Sequence, residues 1–211
     1  EFQKFGIAPR AQKKRDTCSL FAITALADFE YARTTSQPSR RLSEEFLIWA
    51  ANAATGSRGD QAMFHEAVCG LNALGICTRQ LMPYSGSTHA ERKPRAAALA
   101  DAKARSGRWH VQWIKRWDVK RPLGNPAMLA IKGALAGGHP VACGLRWPRA
   151  FKGHELLDVP PPDKVFDGHS IAFVGYLDDP KKQGGGEFLF RNSAGPRWGN
   201  GGYGVMSYAY A

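Results

Sequence analysis

A thiol, an imidazole and an amide in this chain could together make a nucleophile, a base and its orienter: Cys18, His169 and Asn192. Gln12 precedes Cys18 by six residues in Gln12-Lys13-Lys14-Arg15-Asp16-Thr17-Cys18. Cys18 opens a run in which Leu20, Phe21, Ile23, Leu26, Ala27 and Phe29 recur at helical spacing. A sulfur at a helix N-terminus meets the positive end of the macrodipole, which favours thiolate, and thiolate is the nucleophile. A small buried cysteine packing a helix fits the same residues taken alone. His169 follows Asp167-Gly168 and leads into the apolar run Ile171-Ala172-Phe173-Val174, a placement that can hold an imidazole rigidly at the mouth of a strand. Asn192, twenty-three residues later, ends a second apolar strand and can orient that ring, the third role in a nucleophile–base–orienter set. The other histidines have plainer settings: His65 in a helix, His89 in a turn, His139 before a proline, His154 in a charge-rich loop.

The elements that must position these groups follow from patterning. Residues 1–17 read as an extended lead-in, and the helix opened by Cys18 runs to about Arg33. A turn over 34–39 follows, then a helix with Ser43 as N-cap and Glu44 and Glu45 in its first turn. After a loop at 55–60, a third helix extends to Leu74, where Gly75 stops it. The basic, alanine-rich stretch 83–108 reads as surface loop and helix. Strands are expected at His110–Ile114, Pro140–Leu145, His169–Leu177, Glu187–Phe190 and Tyr203–Tyr210, with a helix from Asn125-Pro126 to Gly137-Gly138. A helical lobe (about 18–108) followed by a mainly antiparallel β lobe (about 109–211) is an α+β arrangement, and a substrate is expected in a cleft between the two.

Composition bounds the partners. The 211 residues can bury a sizeable core. No apolar run approaches the ~20 residues of a membrane span, and Glu1-Phe2-Gln3-Lys4 does not look like a signal peptide. The net charge is +11, with basic residues clustered at Arg92-Lys93-Pro94-Arg95, Lys103, Arg105, Arg108, Lys115-Arg116 and Lys120-Arg121. Trp109, Trp113 and Trp117 lie among them, but no nucleic-acid-binding motif accompanies them, so a solvated basic face is expected and no specific nucleic acid. Four cysteines do not make a disulfide scaffold. Cys69 and Cys77 flank the end of one helix and could bridge; His65 with these two lacks a fourth ligand at finger-like spacing, so no metal is expected.

In order along nearly the whole chain, these residues resemble the papain family of cysteine peptidases. Gln12 and Cys18 resemble its oxyanion glutamine and nucleophile, and Leu42-Ser43-Glu44-Glu45-Phe46-Leu47 its "LSEQ-x-L" helix. Leu74-Gly75-Ile76 with Met82-Pro83-Tyr84 resembles "GI…YPY", and Gly138-His139-Pro140-Val141-Ala142 resembles "G-x-PV-x". Gly168-His169-Ser170-Ile171-Ala172 resembles "GHAV", and Arg191-Asn192-Ser193-Ala194-Gly195 through Trp198-Gly199 and Gly202-Tyr203 resembles "KNSWG-xx-WG-xx-GY". The resemblance implies a single papain-like domain over 1–211, two lobes with the N-terminal segment crossing over, and an active-site cleft between them. It implies an endopeptidase that works through a thioester acyl-enzyme without a cofactor. Cys18 would attack, His169 act as base and acid, Asn192 orient the ring, and Gln12 with the Cys18 N–H form the oxyanion hole. Gly59, Asp60, Gly144, Gly168, Ser170 and Trp198 fall at substrate-binding positions. Partners would be peptide or protein substrates and an inhibitory propeptide or protein inhibitor, on a monomer.

Departures from the pattern qualify these expectations. The family's usual cysteine reads Arg15 and its partner Ser57, so one disulfide is absent, which counts against the secreted or cell-envelope setting otherwise implied. Ser19 follows the nucleophile in place of tryptophan. Ala194 stands where a tryptophan would shield the His–Asn bond, although Trp198 remains. Asp60, in the place of a glycine, is expected to narrow the cleft or favour a basic residue in the substrate, and small Gly144 and Ser170 to leave room for a bulky one. Two alternatives stay open: a catalytically weak or inactive papain-fold protein that binds peptide or protein, and a thiol isopeptidase or transpeptidase.

Overall fold

The computed structural model describes residues 2–35, 41–87, 92–116, 118, 121–148, 156–157 and 165–211. The turn expected over 34–39, His89, His154, Trp117 and Lys120 lie wholly or partly outside these residues. The chain divides into two compact units, one of residues 1–8 with 12–111, the other of residues 9–11 with 112–211.

The first unit is helical: α1 (Cys18–Thr34), α2 (Glu44–Thr55), α3 (Phe64–Leu74) and α4 (Ala96–Lys103). Helix α1 is buried on nearly every side, which its apolar run and small alanines permit, and it packs on α2 and α3. Ser43 caps α2 as expected, its Oγ accepting from the Phe46 N–H at 3.0 Å, a contact worth ~1 kcal/mol. Helices α2 and α3 cross so closely that a Cβ on Gly70 would sit 2.4 Å from the Ala51 nitrogen, so this crossing requires glycine. Asp28 ties α1 to the entry of α2 by accepting from the Leu42 N–H at 2.6 Å. Phe46, Ala50, Cys77, Met82, Ala98 and Ala102 form a shared core.

The second unit holds α5 (Asn125–Ala136) and the strands β1 (Val141–Pro148), β2 (Leu156–Leu157), β3 (Val165–Asp178), β4 (Gly186–Arg191) and β5 (Tyr203–Ser207). They form one sheet in the order β1-β3-β4-β5-β2, antiparallel except for the β2–β5 pair. Helix α5 packs on β1 and β3, and the core beneath it contains Ile131, Ile171, Phe173, Phe188, Phe190 and Met206. Phe173 and Phe188 stack at 4.5 Å between ring centroids.

Two local expectations are corrected, and one pairing left open is decided. His110–Ile114 is not a strand: no neighbour pairs with it among the described residues, and Val111 and Trp113 are exposed. The last strand stops at Ser207, because the Tyr210 N–H turns back onto the Ser207 carbonyl at 3.1 Å. Cys69 and Cys77 are free thiols, Cys69 exposed and Cys77 buried.

Candidate active site

The candidate residues divide between the two units. Cys18 is the first residue of α1, half-buried, with no acidic residue in the helix's first turn to oppose a negative sulfur. Thr17 precedes it as N-cap without a side-chain cap bond; its Oγ1 instead shares a 3.0 Å hydrogen bond with the Tyr84 hydroxyl. That hydroxyl also lies 2.8 Å from the Gln12 carbonyl and donates to it. The Gln12 Nε2 donates to the Arg15 carbonyl at 2.8 Å, which fixes the side-chain amide across the turn that leads to Cys18. Two other thiols are not available as nucleophiles. Burial pushes both Cys77 and Cys143 up to about 12, so they stay protonated and unreactive.

In the second unit His169 and Asn192 meet. His169 lies on β3 opposite Leu145 of β1, and Asn192 directly follows β4. The distance from His169 Nε2 to Asn192 Oδ1 is 2.7 Å. The Ser193 backbone N–H donates to the same Oδ1 at 2.8 Å. An atom that accepts from a backbone N–H must be the amide oxygen, so the ring nitrogen facing it must be the donor. The proton therefore sits on Nε2, and Nδ1 is the basic nitrogen of the neutral ring. Asn192 is buried, its N–H bonded to the Gly202 carbonyl at 3.0 Å. The Gly202 turn, at φ +94°, leaves no room for a Cβ, which would fall 2.4 Å from Pro9.

The side chain that sequence reading missed is Trp147. Its ring lies 4.6 Å from the His169 ring, tilted by 59°, and 6.0 and 6.2 Å from Phe190 and Trp198. Ala194 is exposed and pairs with Ala11. A tryptophan thus does stand against the imidazole, contributed by β1 instead of by the segment after Asn192. Trp147→Ala is expected to open the His169–Asn192 bond to water and lower kcat about tenfold, equivalent to ~1.4 kcal/mol, while Trp147→Phe keeps most of the rate. Steady-state kinetics of the two variants check this; equal loss in both would contradict a shielding role.

The expected substrate-binding positions are located as follows. Gly144 and Ser170 face each other in register across β1 and β3, next to the Leu145–His169 pair. Gly168 is exposed, and Trp198 is half-buried in the aromatic group with Trp147 and Phe190. Gly59 takes φ +100° beside Asp60. Both carboxylate oxygens of Asp60 are held by Arg15, at 2.8 and 2.6 Å, which ties this side chain to its own unit. Ser57, at the other position of the absent disulfide, donates to Glu66, whose carboxyl it holds below the usual range.

Comparisons with known proteins identify the family and the fold. The model of the papain family cysteine proteases matches residues 7–211, and the chain belongs to that family. It is a cysteine peptidase by membership, a hydrolase. Xylellain, a cysteine protease from Xylella fastidiosa, superposes with a TM-score of 0.76 at 22% identity, over 97% of this chain and 78% of its own. Bromelain protease from Ananas comosus, solved with the inhibitor E64, superposes at 0.65 and 16% identity, over 98% and 87%. An uncharacterized peptidase C1-like protein of Acanthamoeba polyphaga mimivirus is 24% identical over all of this chain and 69% of its own length. The papain-like α+β fold is therefore shared. No helix among the described residues is long and apolar enough to cross a membrane.

Proposed function

We propose that this chain is an endopeptidase that hydrolyses peptide bonds through a thioester acyl-enzyme. The observation that carries the reading is the His169–Asn192 hydrogen bond, whose acceptor is fixed by the Ser193 N–H. It leaves Nδ1 as the site for the thiol proton.

Cys18 Sγ–H gives its proton to His169 Nδ1, and the thiolate attacks the scissile carbonyl carbon. The carbonyl oxygen becomes an oxyanion that accepts hydrogen bonds from the Cys18 backbone N–H and the Gln12 amide. The C–N bond then breaks, imidazolium His169 protonates the leaving amine, and the acyl group stays on sulfur as a thioester. Water, deprotonated by the neutral ring, attacks that thioester, and the proton returns to Sγ as the acid leaves. Asn192 keeps the ring in the right tautomer throughout.

Gly144, Ser170, Gly168, Gly59 and Trp198 are assigned to substrate contact, the small pair Gly144–Ser170 leaving space for a bulky side chain. The E64 complex of bromelain is consistent with a ligand-accepting site in this fold. The test is to incubate the chain with a denatured protein and identify new termini by mass spectrometry, with and without an added amine acceptor. Free carboxyl termini support hydrolysis. Products that carry the acceptor alone would instead establish transpeptidation, and an uncleaved substrate would leave a peptide-binding protein.

A further inference from the structure

Arg15, Glu45 and Asp60 come from three separate stretches of the first unit and meet in one buried cluster. The Arg15 side chain is 1% exposed and that of Glu45 2%. Arg15 Nε and Nη2 donate to the two Asp60 oxygens at 2.8 and 2.6 Å, a bidentate fork. Nη1 donates to Glu45 Oε2 at 2.7 Å and to the Ser85 carbonyl at 2.8 Å. The Ser85 N–H donates to that same Glu45 oxygen at 3.0 Å. The guanidinium also lies 4.9 Å from the centre of the Tyr84 ring. The Asp60 carboxylate is the main reason that Arg15 holds its proton more strongly than usual despite burial.

This cluster grips the turn that carries the nucleophile. Arg15 is itself in the turn, its carbonyl receives the Gln12 amide, and Tyr84 beneath the guanidinium bonds to both Gln12 and Thr17. The turn needs an outside hold, because Lys13 takes φ +57°, a left-handed conformation that no other described non-glycine residue adopts. The three charged residues are also three departures from the family's pattern, standing where its cysteine, glutamine and glycine are usual. They are accounted for together: the two carboxylates are buried acceptably only because Arg15 pairs with both.

We propose that Arg15 is a positioning residue, its ion pairs with Asp60 and Glu45 holding the Gln12–Cys18 turn in reactive shape by charge, independently of thiol redox state. The effect on catalysis rests on the peptidase reading above; the effect on the turn does not.

Arg15→Met alone strands two buried carboxylates and can unfold the unit. The decisive variant therefore removes all three charges at once: Arg15→Met with Glu45→Gln and Asp60→Asn. Melting, amide hydrogen exchange over residues 12–18 and peptide-hydrolysis kinetics are measured on this variant, on Arg15→Lys and on the parent. The triple variant is expected to stay folded, to exchange faster across the turn, and to lose about 10–100-fold in kcat with KM nearly unchanged. Arg15→Lys, which keeps charge but not the fork, falls between. Excess reductant leaves the parent's exchange unchanged. A triple variant that melts like the parent with parental exchange and kcat would overturn the proposal. Should that variant not fold, parental exchange and kcat in Arg15→Lys would overturn it equally. A parent that cleaves no peptide sinks the peptidase reading, and exchange over residues 12–18 still decides on the clamp.

Discussion

Cys18→Ala is expected to lower peptide hydrolysis by at least about 10⁴-fold without disturbing the fold. The side chain removed is small and half-buried at the first turn of α1, while the stability of that helix comes from residues such as Leu20, Phe21 and Phe29 deeper in the unit. In the proposed mechanism, losing the sulfur removes the only step that makes the acyl-enzyme, whereas the oxyanion donors and substrate contacts would persist and support only a small residual rate. Cys18→Ser should not recover the rate, since a hydroxyl at this position is far harder to ionise than a thiol. Kinetics with far-UV circular dichroism check both variants. Hydrolysis that survives either substitution would assign the activity to another group.

His169→Ala is expected to cost about 10⁴-fold as well, and to change the pH dependence of what remains. In the proposed mechanism, no group then takes the thiol proton, and none protonates the leaving amine. Residual hydrolysis should then rise with pH towards the ordinary thiol range instead of levelling near neutrality. Asn192→Ala should cost less than His169→Ala, because the ring stays in place through its packing against Trp147 while its tautomer is no longer set by the 2.7 Å bond. This ordering, His169 above Asn192 above Trp147, is what the proposed mechanism predicts. A variant series in which Asn192→Ala exceeds His169→Ala would reverse the roles given to the two residues.

Local signals carried much of the fold into the sequence. Cys18 begins its helix where the apolar periodicity places it, Ser43 caps the next, and Gly75 at φ +75° ends the third. Such features depend on neighbours within one helical turn. The His169–Asn192 pair is legible for a related reason: His169 sits in the apolar run of β3, Asn192 directly follows β4, and the two strands are adjacent in the sheet.

What escaped reading depends on distance along the chain. Arg15, Glu45 and Asp60 each had a sufficient local explanation, as a lost cysteine, a first-turn acid and a substrate contact. Their meeting spans forty-five residues and follows no periodicity. Trp147 escaped because the first strand was read as ending at Leu145. Two further residues continue the inward row Val141, Cys143, Leu145 and bring Trp147 beside the imidazole. The expected strand at His110–Ile114 failed for the opposite reason, since alternation of apolar residues does not supply a partner strand.

The most direct measurement is the rate at which iodoacetamide alkylates Cys18 across pH, followed on its own peptide because Cys69 is exposed and would react too. A nucleophile paired with His169 should react at a rate that persists well below the reference thiol pKa of about 8.5. His169→Ala should abolish that low-pH reactivity and leave an ordinary thiol profile. Slow alkylation that rises only near the ordinary thiol pKa, and that is unchanged by His169→Ala, would contradict the assignment of Cys18 and His169 as a catalytic pair.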